Sequence, residues 1–427
     1  MKKTLLTVCL ALGALFLCCF AAGAEAKTAM ELLRDPNGRV IVVSDAGNHA
    51  EEPENSFEAV DKAFLDGADG VIVSLQKTSD GALVLFADET VDRMFGMLEE
   101  DEVGARVDSL TLDHLRELPL YSGEGGHYAH LTERCIATLD EILDLMAEHF
   151  KDRLLFIRHP DAHFQAIADA VRNKKMTGNV VFLMDDVKAP AAGQLHETNE
   201  DLCMIPYYRG NIIMSALSAV KKASFGYYPA AHLASGVSYG VVFGETVQGK
   251  ARALGVRTMA DVTDHRMTGK LRQDTRAWWD DLIGRGFSII VTDDAAGLKK
   301  YIADCDGARK VLKDDALLYI DAYSLPDFNS DRFIDYKHDY NNAVTAAREA
   351  LDCGFSSFNQ LQQADADLRE AYFAINDDYD ALEAGSAGKT VSAGRVVAAV
   401  LGVAGVIALE LFIYKKKTPK KKGAAKK

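Results

Sequence analysis

Cysteine is scarce in this sequence, and its spacing argues against a cysteine-based metal site. Of the seven cysteines in 427 residues, three lie within residues 1–26. The remaining four are widely and irregularly spaced, at Cys135, Cys203, Cys305 and Cys353. No CxxC pair is present among them, whereas structural zinc sites use closely spaced ligand pairs. Four cysteines allow three disulfide pairings, so buried free thiols and one disulfide both remain open.

Positive charge is also scarce outside the two ends of the chain. The whole sequence has 48 Lys and Arg against 63 Asp and Glu, a net charge of −15. Without residues 1–26 and 391–427 the count is 37 against 61, a net charge of −24. An acidic body lacks the positive field that gives proteins most of their affinity for a phosphate backbone. The composition therefore argues against a nucleic acid partner.

Long hydrophobic runs are confined to the two ends, and the first resembles a secretory signal. Lys2 and Lys3 precede an almost wholly apolar stretch, residues 4–22, and Ala24-Glu25-Ala26 supplies a small-x-small cleavage site. This arrangement predicts a signal peptide over residues 1–26, cleaved before Lys27. An uncleaved anchor helix is the alternative.

The second hydrophobic run predicts a transmembrane helix over residues 391–414. It is long enough to cross a hydrocarbon core about 30 Å thick, and residues 415–427 then carry eight lysines. Because positive flanks stay on the cytoplasmic side, the tail should be cytoplasmic and the body exported. The predicted localisation is the cell membrane, with a single pass and an exported N-terminal ectodomain. A nucleic-acid-binding tail is the weaker alternative, since the lysines directly follow an apolar stretch.

Between these ends, residues 38–305 alternate short β-rich runs with helical stretches. Most of the β-rich runs are apolar throughout, as expected for parallel strands covered on both faces. The pattern predicts strands at 40–44, 71–75, 83–86, 154–158, 180–184, 202–206, 239–243, 256–260 and 288–292. Repeated strand–helix units of this length predict an α/β fold, a (β/α)₈ TIM barrel. A doubly wound sheet is the alternative, but no glycine-rich phosphate loop follows the first strand.

After the predicted barrel the β-rich runs end and helical periodicity takes over. Three apolar sets at helical spacing predict a small three-helix bundle over residues 310–382. Residues 383–390, which contain Ala384-Gly385-Ser386-Ala387-Gly388, then predict a flexible hinge ahead of the membrane.

A series of short motifs in the body resembles the glycerophosphodiester phosphodiesterase family. No one motif is specific, but their order and spacing agree with that family over roughly residues 38–304. The motifs are Pro53-Glu54-Asn55-Ser56, Gly67-Ala68-Asp69-Gly70, Lys77-Thr78-Ser79-Asp80-Gly81, Ser109-Leu110-Thr111-Leu112, Ile136-Ala137-Thr138-Leu139-Asp140-Glu141 and Val291-Thr292-Asp293-Asp294.

The resemblance implies a PI-PLC-like TIM barrel whose usual chemistry is changed here. Members of that family use two acid–base histidines, a phosphate-holding arginine and a divalent metal, commonly Ca²⁺ or Mg²⁺. Counted from the motifs, the two histidines and the arginine fall on Asp45, Ala87 and Ala46. The three metal-binding carboxylates fall on Ile72, Ser74 and Phe156. Because an isoleucine or a phenylalanine cannot ligate a hard cation, the resemblance implies a catalytically degenerate barrel.

Several residues are candidate substitutes for the missing groups. Arg158, at a family lysine position, is the strongest candidate for a phosphate contact. His49 lies four residues beyond the family histidine position, and His159 directly follows Arg158. Asp45 and Asp88 could supply carboxylates at the barrel mouth. The alternatives are a simple salt bridge for Arg158 and solvated loop side chains for the others.

The segment 310–382 resembles a different family, the three-helix "found in various architectures" repeat of bacterial surface proteins. The matching residues are Leu317-Leu318-x-Ile320-x-Ala322, Tyr340-x₂-Ala343-x₂-Ala346 and the stretch from Asp365 to Leu368. The resemblance implies a spacer or a carbohydrate-contacting module on a cell wall. An unrelated helical stalk is the alternative.

Together these observations predict a membrane-anchored bacterial surface protein whose barrel binds or scaffolds rather than cuts. The expected partner is a phosphate-containing small molecule or a cell-wall polymer, and no cofactor is expected. The alternative is a divergent phosphodiesterase, acting on glycerophosphodiesters in lipid metabolism with Ca²⁺ or Mg²⁺ and a rebuilt site. A third reading, sugar hydrolysis, requires Asp45 and Asp88 to face each other about 5–10 Å apart.

Overall fold

A computed structural model describes residues 28–50, 52–158, 160–185, 199–209, 213–224, 230–234, 243–263, 274–320 and 334–387. The predicted signal peptide, the span at 391–414 and the basic tail lie outside these ranges, as does His159. Within them, no helix combines the length and apolar character needed to cross a bilayer.

Eight parallel strands form a barrel, which confirms the predicted TIM-barrel fold. In chain order the strands and one short hairpin strand are β1 Ile41–Asp45, β2 Gly70–Lys77, β3 Leu83–Leu85, β4 Leu154–Arg158, β5 Val180–Asp185, β6 Cys203–Arg209, β7 Ala230–Ala234, β8 Arg257–Asp261 and β9 Ile289–Thr292. Each parallel strand pairs with its neighbours, and β1 pairs with both β9 and β2, which closes the sheet. The hairpin strand β3 pairs antiparallel with β2 and does not belong to the barrel wall.

Three of the helices begin at a side chain that caps them. Ser56, Thr111 and Thr138 each accept a hydrogen bond from a backbone N–H in the first turn of the following helix, which satisfies an otherwise unpaired donor. Three of the recognised sequence motifs therefore mark helix starts. The helices are α1 Ala29–Arg34, α2 Phe57–Leu65, α3 Leu112–Glu117, α4 Leu139–His149, α5 Phe164–Asn173, α6 Ile213–Ser224, α7 Glu245–Ala253, α8 Arg276–Arg285, α9 Ala295–Tyr319, α10 Ile334–Asp352 and α11 Phe358–Ala387.

The barrel interior is a packed apolar core rather than a channel. Its buried side chains come from nearly every strand and include Val43, Ile72, Phe156 and Ile205. Leu33 of the short helix α1 packs against the same cluster. At the start of β8, the buried Arg257 donates to the backbone oxygens of Leu32, Arg39 and Ser288. Helix α1 is thereby fixed at the end of the barrel where the strands begin.

The seventh strand differs from the sequence prediction. The structure places β7 at Ala230–Ala234, whereas we predicted a strand at 239–243. Residues 239–242 lie outside the described ranges, and Phe243 lies just before Gly244, the N-cap residue of α7. The prediction missed β7 because its sequence, AAHLA, is rich in alanine, which has a low strand propensity.

The described residues divide into two compact units at positions other than the predicted boundary at 310. One unit contains the described residues up to Ala316 together with Thr345–Asp365. The other contains Leu317–Val344 and the described residues from Ala366 onward. The division falls inside α9, α10 and α11, where a sequence pattern gives no signal because each helix continues through it.

Within the second unit, aromatic contacts join the helical segments. The Tyr319 ring lies 4.8 Å from the Tyr372 ring and 5.6 Å from the Phe373 ring, measured between centroids. The Tyr340 hydroxyl donates to the Tyr319 carbonyl over 2.7 Å. Helix α11 continues to Ala387, through residues 383–387 of the predicted hinge.

All four cysteines of the body lie within the described residues, and all four are free thiols. Cys203 and Cys305 are buried, Cys353 is half-buried and Cys135 is exposed. The fold therefore uses them as ordinary side chains, which resolves the two alternatives in favour of free thiols.

Candidate functional site

Polar side chains collect where the barrel strands end. Asp45, Arg158 and Asp261 are the last residues of β1, β4 and β8. Asp293 directly follows β9. Because the strands are parallel, these four residues share one face of the barrel, the face that carries the active site in TIM-barrel enzymes. We call this face the mouth.

An arginine paired with two aspartates lies at the mouth. Arg158 Nη2 is 2.9 Å from Asp45 Oδ1 and 3.1 Å from Asp261 Oδ2. The Thr263 hydroxyl lies 2.6 Å from Asp45 Oδ2 and 2.7 Å from Asp261 Oδ1. Since a hydroxyl has one proton, Thr263 donates to only one of these carboxylates at a time. Arg158 thus supplies the positive charge between the two acids.

The ion pair with Arg158 keeps Asp45 ionised, although burial favours the protonated form of this carboxyl. Burial acts to raise the pKa of Asp45, but Arg158, the Thr263 hydroxyl and His49 together hold it below its ordinary value. Asp45 occupies the place of the family's first histidine, so a group that could take up a proton near neutral pH is replaced by a fixed negative charge.

A histidine and two further carboxylates meet at the rim of the mouth. His49 Nε2 lies 3.6 Å from Asp293 Oδ1 and 3.8 Å from Glu124 Oε1. The ring nitrogen Nδ1 faces the Asp45 carbonyl oxygen at 3.2 Å. The His49 side chain is 14% exposed, and those of Asp293 and Glu124 are 31% and 47% exposed. We call these three residues the rim cluster.

The ionisation of Asp293 is altered by its surroundings. Burial, then the neighbouring carboxylates of Asp45, Asp274 and Asp261, raise its pKa to about 7, although His49 acts in the opposite direction. Asp274 is held beside it, because it accepts hydrogen bonds from the backbone N–H of Asp293 and from the Thr292 hydroxyl, both over 2.6 Å. The mouth therefore contains more acidic groups than cations.

The conformation of the loop after β1 is fixed by Asn55 and Gly47. Asn55, with a φ of 54°, accepts from the Ser74 N–H over 3.0 Å and donates its own N–H to the Ala46 carbonyl over 2.9 Å. Gly47 has a φ of 84°, and a Cβ there would lie 2.5 Å from the carbonyl carbon of Ala59. Only glycine fits this position. These residues shape the loop.

Asp88 is engaged in a separate ion pair. Its carboxylate accepts from Arg93 over 2.6 Å, and the same arginine pairs with Glu54 and contacts the Glu124 carbonyl. The neighbouring Ala87, at the family's second histidine position, is exposed. Among the described residues, Asp45 and Asp88 are thus each paired with an arginine. A facing carboxylate pair for sugar hydrolysis stays a prediction.

The residues at the family's metal-ligand positions do not fit a hard cation. Ile72 and Phe156 are 1% and 0% exposed and pack in the apolar barrel core. Neither side chain has an oxygen that Ca²⁺ or Mg²⁺ could use. Ser74 follows in β2 and is half-buried, and a single hydroxyl makes a weak ligand set by itself. No step of a reaction is therefore assigned to a metal at these positions.

Sequence analysis missed most of the residues that complete the mouth. Asp261 and Asp293 could have been found, because each lies at the end of a predicted strand, as Asp45 and Arg158 do. Thr263 and Glu124 carry no such signal. Glu124 lies between two glycines in the long loop after β3, and only the folded chain brings it to His49.

Part of this barrel is similar to proteins of one enzyme family. A family model described as the glycerophosphoryl diester phosphodiesterase family matches residues 46–196. Glycerophosphodiester phosphodiesterase 1 of Bos taurus is 35% identical over 113 residues, which are 26% of this chain and 32% of that protein. The probable glycerophosphodiester phosphodiesterase 1 of Mycobacterium tuberculosis H37Rv is 31% identical over 132 residues, 29% of this chain and 44% of that protein. The matches thus span less than half the length of these relatives.

A solved structure agrees with the fold. A glycerophosphoryl diester phosphodiesterase from Parabacteroides distasonis superposes with a TM-score of 0.50 at 17% identity, covering 65% of this chain and 92% of that one. At this identity the similarity concerns the fold alone.

Proposed function

We propose a binding function for the barrel, whose residues 46–196 match the model of the glycerophosphoryl diester phosphodiesterase family. The barrel is a module that binds a phosphate-containing molecule or a cell-wall polymer and does not hydrolyse phosphodiesters by the family route. One observation carries the proposal: Arg158 lies between Asp45 and Asp261 at the mouth, where the family has a histidine and a metal.

The chemistry of phosphodiester cleavage explains why these replacements matter. A positioned acid or base contributes about 10²–10⁴ in rate, and a metal stabilises the charge that builds up on the phosphoryl oxygens. Asp45 and Ala87 occupy the two histidine positions, and neither donates a proton to a leaving group at neutral pH. Ile72 and Phe156 fill the metal positions with hydrocarbon. Losing all of these groups together removes the family route.

Arg158 is the residue we assign to ligand binding. Its side chain is 24% exposed, so a guanidinium N–H can meet a phosphate oxygen at the mouth. Such a contact is charge-assisted and frequently bidentate. The ligand has to compete with Asp45 and Asp261 for Arg158, which favours a ligand with additional contacts in the acidic mouth, such as hydroxyl groups that donate to carboxylates.

We further propose that the barrel works at a membrane surface. The apolar run at 391–414 and the lysines after it support one span with a cytoplasmic tail. The signal-like residues 1–26 support export of the body. The helical residues between barrel and span act in this proposal as a spacer.

Turnover and binding assays on the full-length chain, purified in detergent, test the proposal. Glycerophosphocholine and glycerophosphoglycerol are incubated with the chain in Ca²⁺, in Mg²⁺ and in chelator, and release of sn-glycerol 3-phosphate is measured. We expect no release above a protein-free blank. Binding of sn-glycerol 3-phosphate is measured by calorimetry, and we expect Arg158→Met to weaken it by about 10–100-fold, the value of one charged hydrogen bond or two.

Matched variants separate the contact from general effects of charge. Arg158→Lys keeps the positive charge and should retain part of the affinity. Arg116→Gln removes a surface arginine that pairs with Glu141 and should leave binding unchanged. Turnover that depends on a divalent cation would overturn the proposal. Equal binding of sn-glycerol 3-phosphate by wild type and Arg158→Met would show that Arg158 does not contact the ligand.

The second candidate function is a divergent phosphodiesterase with a rebuilt site. The observation that favours it is His49, an imidazole that lies beside Asp293 at the mouth. Here the histidine would act as the acid–base group. If turnover is found and His49→Gln abolishes it while His114→Gln does not, this second function replaces the first.

A further inference from the structure

We propose that the rim cluster, His49, Glu124 and Asp293, is a binding site for a divalent transition metal. The proposal stands apart from the binding function above, because a metal can occupy the rim whether or not the barrel cuts a substrate. The site also differs from the family's metal positions, since none of its three residues coincides with Ile72, Ser74 or Phe156.

The first support is the spacing of the three ligand atoms. One nitrogen and two carboxylate oxygens lie within 4.8 Å of one another, and the histidine nitrogen is 3.6 and 3.8 Å from the two oxygens. A tetrahedral ion with bonds of about 2.0–2.2 Å separates its ligands by about 3.4 Å. The histidine nitrogen therefore needs to approach the two oxygens by only a few tenths of an ångström, and the two carboxylate oxygens need to approach each other by at most about 1.4 Å. Among the described residues, no other group of three His, Cys, Asp or Glu side chains meets this spacing.

The second support is the orientation of the His49 ring. Nδ1 lies 3.2 Å from the Asp45 carbonyl oxygen, and because a carbonyl only accepts, this hydrogen bond requires the proton on Nδ1. In the neutral ring Nε2 then carries the lone pair, and Nε2 is the atom that faces Glu124 and Asp293. Metal-binding histidines are held in this way, with the other ring N–H donated to a carbonyl or a carboxylate.

The third support is the charge of the surroundings. The Glu124 and Asp293 carboxylates approach each other within 4.8 Å, and Asp45, Asp261 and Asp274 act on Asp293 from further inside the mouth. Arg158 is engaged with the two inner aspartates. A divalent ion at the rim would offset the repulsion among these acids, and Coulomb's law makes that effect larger in a partly buried place than in water.

The ligand types indicate the class of metal. Imidazole with carboxylates suits Zn²⁺, and also Mn²⁺ or Fe²⁺, whereas Ca²⁺ and Mg²⁺ prefer oxygen ligands alone. Three protein ligands leave at least one coordination position for water or for an anion. A phosphate oxygen is one such anion, so the ion could give the acidic mouth an attachment point for a phosphate group.

Metal binding by the full-length chain tests the site. The untagged chain is purified in detergent, stripped with a chelator and titrated with Zn²⁺ and with Mn²⁺ by calorimetry. The Co²⁺-loaded chain is then examined for the visible absorption that tetrahedral cobalt gives. We expect one equivalent to bind, and each of His49→Ala, Glu124→Gln and Asp293→Asn to weaken binding at least about tenfold, as a lower bound taken from the loss of outer-shell partners.

A second histidine supplies the matched control. His114 pairs with Glu102, so it offers an imidazole beside one carboxylate but no third ligand. We expect His114→Ala to leave binding unchanged. Glu124→Gln is the rim variant least expected to disturb folding, because the Glu124 side chain is 47% exposed and the substitution removes no core packing.

Two results would overturn the site. The first is a stripped wild-type chain that takes up neither Zn²⁺ nor Mn²⁺ at millimolar concentration. The second is a set of rim variants, shown by circular dichroism to be folded, that bind the metal as tightly as the wild type does. Neither result bears on Arg158, so failure of the metal site can be told apart from failure of the binding function.

Discussion

Asp69 is a buried carboxylate at the end of the barrel where the strands begin. It is 2% exposed and accepts two hydrogen bonds from Arg39 over 2.8 Å, one from Lys299 over 2.8 Å and one from Arg153 over 3.3 Å. The Val42 N–H adds a fifth over 3.0 Å. The aspartate of the Gly67-Ala68-Asp69 motif is thus a structural hub for three cations.

We expect Asp69→Asn to destabilise the protein by about 3–5 kcal/mol at pH 7, because removing one partner of a buried ion pair leaves the others uncompensated. Burial acts to raise the pKa of Asp69, but Arg39 and Lys299 bring it below the ordinary 3.8. A lowered folded-state pKa means that the stabilisation is complete above the unfolded pKa and is lost as the pH falls through the folded value. The difference from wild type should therefore be constant above about pH 5 and shrink below about pH 4.

Urea unfolding at a series of pH values measures this difference. Asp101→Asn is the control, since Asp101 is exposed and a surface change of this kind stays within about 0.5 kcal/mol. A difference that grows as the pH falls would contradict the assignment.

At the scale of residues, the sequence identified some side chains of the mouth but not the partners that they contact. Asp45 and Arg158 were candidates because they fall at the first histidine position and at a lysine position of the family that the sequence resembles. The partners that define them, Asp261 and Thr263, come from more than 100 positions later than Arg158, and no local pattern joins residues so far apart. The free state of the cysteines was likewise open, because pairing depends on three-dimensional distance.

At the scale of elements, several of the sequence motifs contain residues that cap the start of a helix. In Ile136-Ala137-Thr138-Leu139, the Thr138 hydroxyl accepts from the Glu141 N–H, while the Glu141 carboxylate accepts from the Thr138 N–H over 2.8 Å. This reciprocal pair is a capping box. It fixes the first turn of α4 without taking part in any chemistry at the mouth.

We expect Thr138→Ala to lower the free energy of unfolding by about 1 kcal/mol, the usual cost of losing an N-cap hydroxyl. Thr138→Ser keeps the hydroxyl and serves as the control. Denaturant unfolding of both variants and the wild type measures the effect. Equal stability of Thr138→Ala and Thr138→Ser would show that the cap contributes nothing here.

Elements were predicted well where the pattern was strong. The strand at 154–158 was placed as the structure has it, since Leu154-Leu155-Phe156-Ile157 is apolar and rich in strand formers. β7 was missed because alanine dominates it. The place where the compact units divide was not predicted, because α9 continues through it as one helix.

At the scale of the whole molecule, the barrel could be predicted from the sequence and the arrangement of its mouth could not. The eight-stranded sheet could be predicted from alternation and motif order, because both are local signals repeated along the chain. The chemistry of the mouth could not be predicted, because the mouth is assembled from loops and strand ends that are remote in sequence. Fold and function are separable in this sense.

The proposed membrane span at residues 391–414 leads to a prediction about the whole molecule. Expressed in a bacterium, the full-length chain should sediment with membranes, and a chain that ends at residue 387 should not, because it lacks the apolar run at 391–414. A chain that lacks only residues 415–427 is the matched control and should still sediment. Fractionation followed by immunoblotting measures this. A chain ending at 387 that stays with the membrane fraction would contradict the tether.

The anchoring of α1 has a practical consequence. Arg257 and Leu33 hold this short helix against the barrel end where the strands begin, and the mouth lies at the other end. A fluorophore or fusion partner joined just ahead of Thr28 would therefore emerge far from Arg158 and His49. Such a label could report on immobilisation or transport of the molecule while ligands and ions still reach the opposite side unobstructed.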